Sequence, residues 1–273
     1  MNFISNKNRR SPKARAATKG RVAARVFAVM ASVLFWIAIW FVAAKKIGHE
    51  VILPSPVQVF ARLGELIVQS YFWICVANSL AKVMLGLAIG IVCAIPLAAL
   101  SARLEPVKIL LDPLIITSRA TPVASFIILI WTVLGSRGPS LVPIFISFLI
   151  VFPVVYSTVF TAIGEVDRGL LEVARVYRFG AYKRFRLIYF PSVFATAISA
   201  CATAAGLAWK AGIAAEVLSQ TRDSIGFEIY SSKAYLETTD LFAYTLTVII
   251  LSLIIELLLR AIKNRVAVKG AKA

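Results

Sequence analysis

The sequence has 273 residues, of which 60% are hydrophobic and only 16% are charged. The charged fraction is well below the ~25% of a soluble domain, so the apolar surface is expected to face lipid rather than water. The net charge is +17. One histidine, three cysteines without a CxxC pair and no GxxxxGK[ST] motif argue against a His-based metal site, a catalytic triad and a P-loop. We expect no catalytic residue, no metal and no cofactor bound by this chain.

Apolar segments long enough to cross a bilayer recur along the chain. They lack the alternation of a membrane β-barrel, so the sequence predicts an all-α, polytopic membrane protein with six transmembrane helices. The six segments are 26–44, 74–100, 113–134, 140–162, 193–218 and 241–262. Neighbouring helices and local kinks are expected to absorb the prolines inside them. The predicted domains are a basic tail (1–25), a transmembrane domain (26–265) and a C-terminal tail (266–273).

Basic residues are distributed unequally between the two sides of the predicted membrane. With the N-terminus inside, 21 of the 30 Lys and Arg residues fall on the cytoplasmic side and six on the outside. By the positive-inside rule, both termini are cytoplasmic. The basic charge is thereby assigned to topology and to contact with anionic membrane lipid, and nucleic-acid binding is not expected.

Two predicted outer segments carry structure of their own. Ser55 and Pro56 favour the start of a short helix, and Val59, Leu63 and either Leu66 or Ile67 would share its apolar face. The outer loop 219–240 is rich in acidic residues and large enough to form part of a docking surface for an external partner.

The long cytoplasmic loop 163–191 combines basic charge with helical periodicity. Asp167 is a predicted N-cap, and Gly180 is predicted to end the first helix. Pro191 marks the return to the membrane. The helical repeat consists of Leu170, Ala174, Tyr177 and Ala181. From these residues alone, the helix either rests on lipid or acts as a lever for a cytoplasmic partner.

The spacing in this loop resembles the EAA motif of binding-protein-dependent ABC importers, E-A-A-x3-G-x9-I-x-L-P. The matching positions are Glu172, Val173, Ala174, Ile188 and Pro191, with Phe190 in place of the leucine. The glycine position of the motif is Arg178, and Gly180 follows two residues later. Further pieces, in order, are LPSP at 53–56, LDP at 111–113, SRATP at 118–122, AAE at 214–216 and SIGF at 224–227.

Together these pieces resemble the permeases of the sulfonate/nitrate/taurine type. The resemblance implies a type I ABC importer permease (MetI-like) fold and a non-catalytic pore subunit in the inner membrane. It also implies ATPase subunits that bind ATP, an external substrate-binding protein, and a second permease subunit that is either a copy or a relative. The implied ATPase-coupling residues are Glu172, Ala174, Arg175, Tyr177, Arg178, Gly180 and Pro191.

Charged residues inside predicted spans are costly and need an explanation. They are Lys82, Arg119, Lys210 and Glu216. The three cations would suit an anionic substrate such as a sulfonate or nitrate, but they could also snorkel to headgroups or pair with acids. The small residues of the fifth span and the pair Gly86 and Gly90 either pack helices or line a pore. The alternatives for the whole chain are a secondary transporter driven by an ion gradient and a membrane-embedded enzyme.

Overall fold

The computed structural model describes the backbone of residues 12–134 and 138–270 and the side chains of residues 27–134 and 138–261. Side chains of the two predicted tails, 1–25 and 266–273, lie outside these ranges. Across the described backbone the chain is helical and contains no strand. In order, the elements are α1 Pro12–Ile47, α2 Pro56–Val68, α3 Ser70–Ser101, α4 Glu105–Ala120, α5 Val123–Leu134, α6 Leu141–Gly164, α7 Arg168–Val176, α8 Ala181–Arg184, a π-helical turn Phe185–Tyr189, α9 Phe190–Ser219, α10 Ile225–Ala234 and α11 Thr238–Gly270.

Five of these stretches are individually long and apolar enough to cross a membrane. They are the Phe27–Ile47 part of α1, α3, α6, the continuous stretch Ala181–Ser219 and the Thr238–Ala261 part of α11. The pair α4 and α5 supplies a sixth crossing if it is counted as one broken span. The predicted six-span helical architecture is thus confirmed as five continuous helices and one broken pair.

The broken span differs from the uninterrupted helix expected over 113–134. Helix α4 ends at Ala120, α5 begins at Val123, and their axes are bent by 109°. Thr121 is extended, with φ −85° and ψ 134°, because the ring of Pro122 disfavours helical backbone at the preceding residue. Pro122 therefore ends one helix instead of kinking a continuous one.

The centre of the bundle is made by α3, α6 and α9, which pack closely through small residues. A Cβ added to Gly86 would lie 2.4 Å from the carbonyl oxygen of Ile144, and one added to Gly90 would lie 2.7 Å from Val151 Cγ1. On α9, a Cβ added to Gly212 would lie 2.5 Å from Val83 Cγ2. The glycine pair on α3 is thus a packing surface, because the facing helix occupies the space that a side chain would need.

The short helix α2 matches its prediction in start, cap and apolar face. Ser55 caps it in a capping box with Gln58, and Pro56 occupies the first turn. Val59, Leu63 and Leu66 are its buried apolar side chains, whereas Ile67 is exposed. Arg62 Nε donates to Asp240 Oδ1 at 2.6 Å and ties α2 to the start of α11. Asp240 and Glu65 both raise the pKa of Arg62, with the hydrogen bond to Asp240 the largest cause.

Candidate functional site

A cavity of about 450 Å³ opens between the broken pair α4 and α5, helix α6 and helix α9. Its walls are mostly apolar, but two cationic side chains, Arg119 and Lys210, line it. The remaining lining residues are Ser118, Thr121, Val123, Ile150, Pro153, Val154, Leu207, Ala211 and Ala214. The cavity thus borders the break in the span, where transport proteins of several folds place their binding sites.

The two cations reach this cavity from different helices. Arg119 lies in the last turn of α4, next to the break, and its Nη2 donates to the carbonyl oxygen of Pro153 at 3.2 Å. Lys210 lies on α9 and is exposed to the cavity. Among the described side chains, none of the cavity-lining residues is acidic and neither cation forms a salt bridge. The cavity is therefore positively charged without an internal counter-ion.

Helix α9 presents two different faces, one that packs against other helices and one that lines the cavity. Its small residues Ala204, Ala208 and Gly212 are buried, and Trp209 beside them is fully buried with its Nε1 donating to the carbonyl oxygen of Val248 at 3.3 Å. The cavity face repeats at i, i+3, i+4 and i+7 and consists of Leu207, Lys210, Ala211 and Ala214. Packing accounts for the buried face of α9, and the opposite face lines the cavity.

The other two charged residues within the predicted spans, Lys82 and Glu216, form a pair away from this cavity. Lys82 Nζ lies 3.6 Å from Glu216 Oε1, and the side chains are 13% and 0% exposed. Ser79 Oγ donates to Glu216 Oε2 at 2.7 Å, and the backbone N–H of Gly226 donates to the same oxygen at 3.2 Å. Of the interpretations left open for Lys82, structural pairing is the one this geometry fits.

Sequence reasoning missed Ser79 as part of this network. Its hydroxyl also accepts from the backbone N–H of Ile225 at 3.0 Å, so it joins α3 to the start of α10. A serine within an apolar span gives no signal of such a role. The AAE and SIGF pieces were available in the sequence, but their contact with each other is a property of the fold.

Helix α7, in the loop 163–191, begins as predicted and ends earlier than predicted. Asp167 caps it, accepting from the backbone N–H of Gly169 at 2.8 Å. The helix ends at Val176, and Arg178 adopts a left-handed conformation with φ 51°. The N–H of Phe179 then donates to the carbonyl oxygen of Ala174 at 2.8 Å, closing the turn. The prediction that Gly180 ends this helix is wrong, since Gly180 instead caps the start of α8.

In this chain, the position that the EAA motif assigns to glycine is left-handed. Left-handed backbone is the conformation that glycine adopts without a steric penalty. The chain keeps the turn with Arg178 in place of glycine, which costs on the order of 1 kcal/mol for a non-glycine residue.

Ala174 faces into the chain and not outward. It is 2% exposed and lies in a cluster with Val166 and Ile188. Glu172, Val173, Arg175, Val176 and Tyr177 are exposed. Of the predicted repeat, only Ala174 is buried, whereas Leu170, Tyr177 and Ala181 are exposed. The surface of α7 that is available to a partner is therefore a mixture of charged and apolar side chains around a buried Ala174.

Pro191 lies in a continuous helical stretch that runs from Ala181 to Ser219. The π-helical turn Phe185–Tyr189 precedes it, with the N–H of Phe190 donating to the carbonyl oxygen of Phe185. A proline lacks the N–H needed for the regular ladder, and a wider turn is one way for a helix to absorb that loss. Pro191 therefore lies inside an uninterrupted helical stretch and does not mark a break before the span.

A multi-pass helical bundle with a broken span beside a charged internal cavity has the architecture of a membrane transport protein. The family comparison specifies the class. Residues 86–268, more than half of the chain, match the family described as the binding-protein-dependent transport system inner membrane component. The chain belongs to this family of inner-membrane transport permeases.

The similar proteins agree with that assignment. The chain is 24% identical over 233 residues to the taurine transport system permease protein of Escherichia coli (strain K12), covering 83% of each chain. It is 27% identical over 192 residues to the nitrate import permease protein of Synechocystis sp. (strain ATCC 27184 / PCC 6803 / Kazusa), covering 67% of this chain and 68% of that one. The predicted resemblance to sulfonate/nitrate/taurine permeases is therefore confirmed.

A solved structure supports the fold. The crystal structure of the bacterial alginate ABC transporter in complex with alginate pentasaccharide-bound periplasmic protein matches with a TM-score of 0.60. That match has 17% identity and covers 91% of this chain and 97% of that chain. The predicted ABC importer permease fold is confirmed by this likeness together with the family match.

Proposed function

We propose that the chain is the pore-forming permease subunit of an ATP-driven importer for a small anionic solute. The observation that carries the substrate class is the cavity lined by Arg119 and Lys210, which has no acidic lining residue among those that the structure describes. A cation at the centre of a membrane helix costs roughly 2.5–3.5 kcal/mol. Two cations on one cavity repel each other, and an anion held between them offsets both penalties.

The relatives that transport taurine and nitrate support an anionic cargo. Taurine carries a sulfonate group and nitrate is itself an anion, so the shared feature is a small oxyanion. The apolar remainder of the wall suits brief contact rather than tight binding, which a transport pathway needs because the solute must also leave.

On the cytoplasmic side, we propose that α7 contacts a separate ATPase subunit that binds the ATP. Val173, Val176 and Tyr177 are exposed apolar side chains next to Glu172 and Arg175. Such a patch is typical of a protein interaction site. Ala174 would act from within by seating α7 on Val166 and Ile188, so that force on α7 reaches the adjoining spans. Arg178, Gly180 and Pro191 would set the turn and the helix that follow.

The remaining assembly follows from the same proposal. Both termini lie in the cytoplasm, an external substrate-binding protein delivers the solute, and a second permease subunit completes the pore. The large exposed apolar surface of the isolated chain agrees with coverage by lipid and by a second subunit.

The test is solute uptake by the complex purified from its own membrane and reconstituted with its binding protein. Labelled taurine, nitrate and bicarbonate would be compared with choline as a cationic control, with ATP enclosed or withheld. We expect ATP-dependent uptake of at least one of these three solutes, each of which carries an oxyanion group, and none of choline. Uptake driven by an ion gradient without ATP would favour a secondary transporter, and preference for choline would contradict the anionic cargo.

A further inference from the structure

The start of the external helix α10 lies on a buried carboxylate of α9. The first two N–H groups of α10 belong to Ile225 and Gly226. They donate to Ser79 Oγ at 3.0 Å and Glu216 Oε2 at 3.2 Å. Ser79 in turn donates to Glu216 at 2.7 Å. The N-terminal groups of a helix lack partners within the helix and carry a partial positive charge, so this anion satisfies them inside the protein.

The contact between Gly226 and Glu216 is too closely packed to admit an added side chain. A Cβ added to Gly226 would lie 2.3 Å from Glu216 Cβ and 2.7 Å from the backbone nitrogen of Val217. One turn from Glu216 along α9, a Cβ added to Gly212 would likewise lie too close to Val83 and Ser147. Lys210 and Ala211, which line the cavity, directly precede this glycine. Tightly packed contacts therefore connect α10 to the cavity-lining part of α9.

The exposed surface of α10 suits contact with an external partner. Tyr235 and Leu236 at its end are 76% and 69% exposed. Gln220, Asp223 and Leu236, which flank α10, all have positive φ although none is glycine. Strained backbone persists only where the surrounding structure imposes it, so the position of α10 is set by its packing and not by relaxed connecting turns.

We propose that Glu216 is a positioning residue that fixes α10 to α9, so that a protein bound on α10 from outside acts on the cavity lined by Arg119 and Lys210. The inference rests on the proposed function, because the external partner is the substrate-binding protein. Glu216 touches neither ATP nor the cavity. Its role is to make the external helix and the pore helix move as one body.

The experiment compares two double variants that both remove the buried charge pair. In Lys82→Met/Glu216→Gln, the glutamine side-chain oxygen can still accept from Gly226 and Ser79, whereas in Lys82→Met/Glu216→Leu a side chain of similar size cannot. We expect equal basal ATP hydrolysis in the two reconstituted complexes. Stimulation of ATP hydrolysis by the binding protein should stay within about threefold of wild type with glutamine and fall at least tenfold with leucine.

Equal stimulation in the two double variants would overturn the proposal. If the leucine variant does not assemble, Gly226→Ala replaces it, because the added methyl group would force α10 away from Glu216. Its matched control is Gly206→Ala, where an added Cβ meets nothing within 4 Å. Stimulation should fall in Gly226→Ala and persist in Gly206→Ala, and the same value in both would contradict the role of the contact.

A wild-type complex that shows no stimulation would count against the proposed function. The anchor is then tested by itself through amide hydrogen exchange at Ile225 and Gly226. Exchange should be at least tenfold faster in the leucine double variant than in the glutamine one. Equal exchange rates would overturn the anchor.

Discussion

The buried pair of Lys82 and Glu216 and the open cavity of Arg119 and Lys210 both place charged side chains inside the same helical bundle. In the pair, Glu216 is fully buried and its carboxylate receives hydrogen bonds from two elements. In the cavity, the cations lie on an open wall without a carboxylate partner among the described residues. Pairing makes the first pair of charges structural, and its absence leaves the second pair available to a solute.

The largest effect is expected from breaking the buried pair. Glu216→Leu leaves Lys82 as an uncompensated buried cation, which typically costs 3–5 kcal/mol. The purified Glu216→Leu variant should unfold at a much lower temperature, or at a much lower concentration of a denaturing detergent, than wild type. Lys82→Met/Glu216→Leu should recover most of that loss, since neither charge remains. If Glu216→Leu is as stable as wild type, Glu216 does not stabilise the fold by compensating the charge of Lys82.

Neutralising the cavity cations should instead reduce transport without reducing stability. Arg119→Gln and Lys210→Gln are each expected to lower kcat/KM for the anion about tenfold, equivalent to ~1.4 kcal/mol. Arg119→Lys and Lys210→Arg keep the charge and should retain more activity. Lys46→Gln, an exposed cation in the last turn of α1, is the control for general loss of charge. Unchanged uptake in both cavity variants would remove the cavity from the pathway.

Helix α7 offers the same contrast between a buried and an exposed position, here with apolar residues. Ala174→Leu inserts a large side chain between Val166 and Ile188 and should cost about 1–3 kcal/mol by overpacking. We expect an inserted protein with weakened ATPase binding and several-fold lower uptake. Leu170→Met changes an exposed residue of the same helix that lies outside the proposed ATPase patch and is the matched control. Pull-down of the ATPase and uptake check both, and equal results would contradict the seating role of Ala174.

Glu228 on α10 is half-buried, so its exposure lies between that of the buried Glu216 and that of the cations on the open cavity wall. Burial raises its pKa, and the nearby acids Asp223, Asp240 and Glu237 raise it further. A carboxyl whose pKa is higher in the folded state destabilises the fold at high pH, and this penalty disappears as pH falls through that pKa. Glu228→Gln should therefore be slightly stabilising at pH 8, by about 0.5 kcal/mol, and neutral near pH 4. Unfolding curves at both pH values test this, and an equal difference at both would contradict it.

The loop 163–191 shows which structural features a local sequence pattern can predict. The N-cap at Asp167 could be predicted, because capping depends on a side chain and the backbone two residues away. Local pattern places the end of the helix at Gly180, because glycine is the usual left-handed residue. Tertiary packing of Phe179 and Ala174 instead holds Arg178 in that conformation, and this overrides the local preference.

What the sequence by itself determined is the membrane-spanning class, the charge asymmetry, the capped outer helix α2 and the family. Each depends on hydrophobicity, charge count or short-range spacing, which are properties of contiguous residues. What only the tertiary structure decided is which charges meet. Ser79 and Glu216 are 137 residues apart in sequence, and Arg119 and Lys210 line one cavity from two different helices. The energy of a charge inside a membrane depends on its neighbours in space, and helix packing alone sets those neighbours.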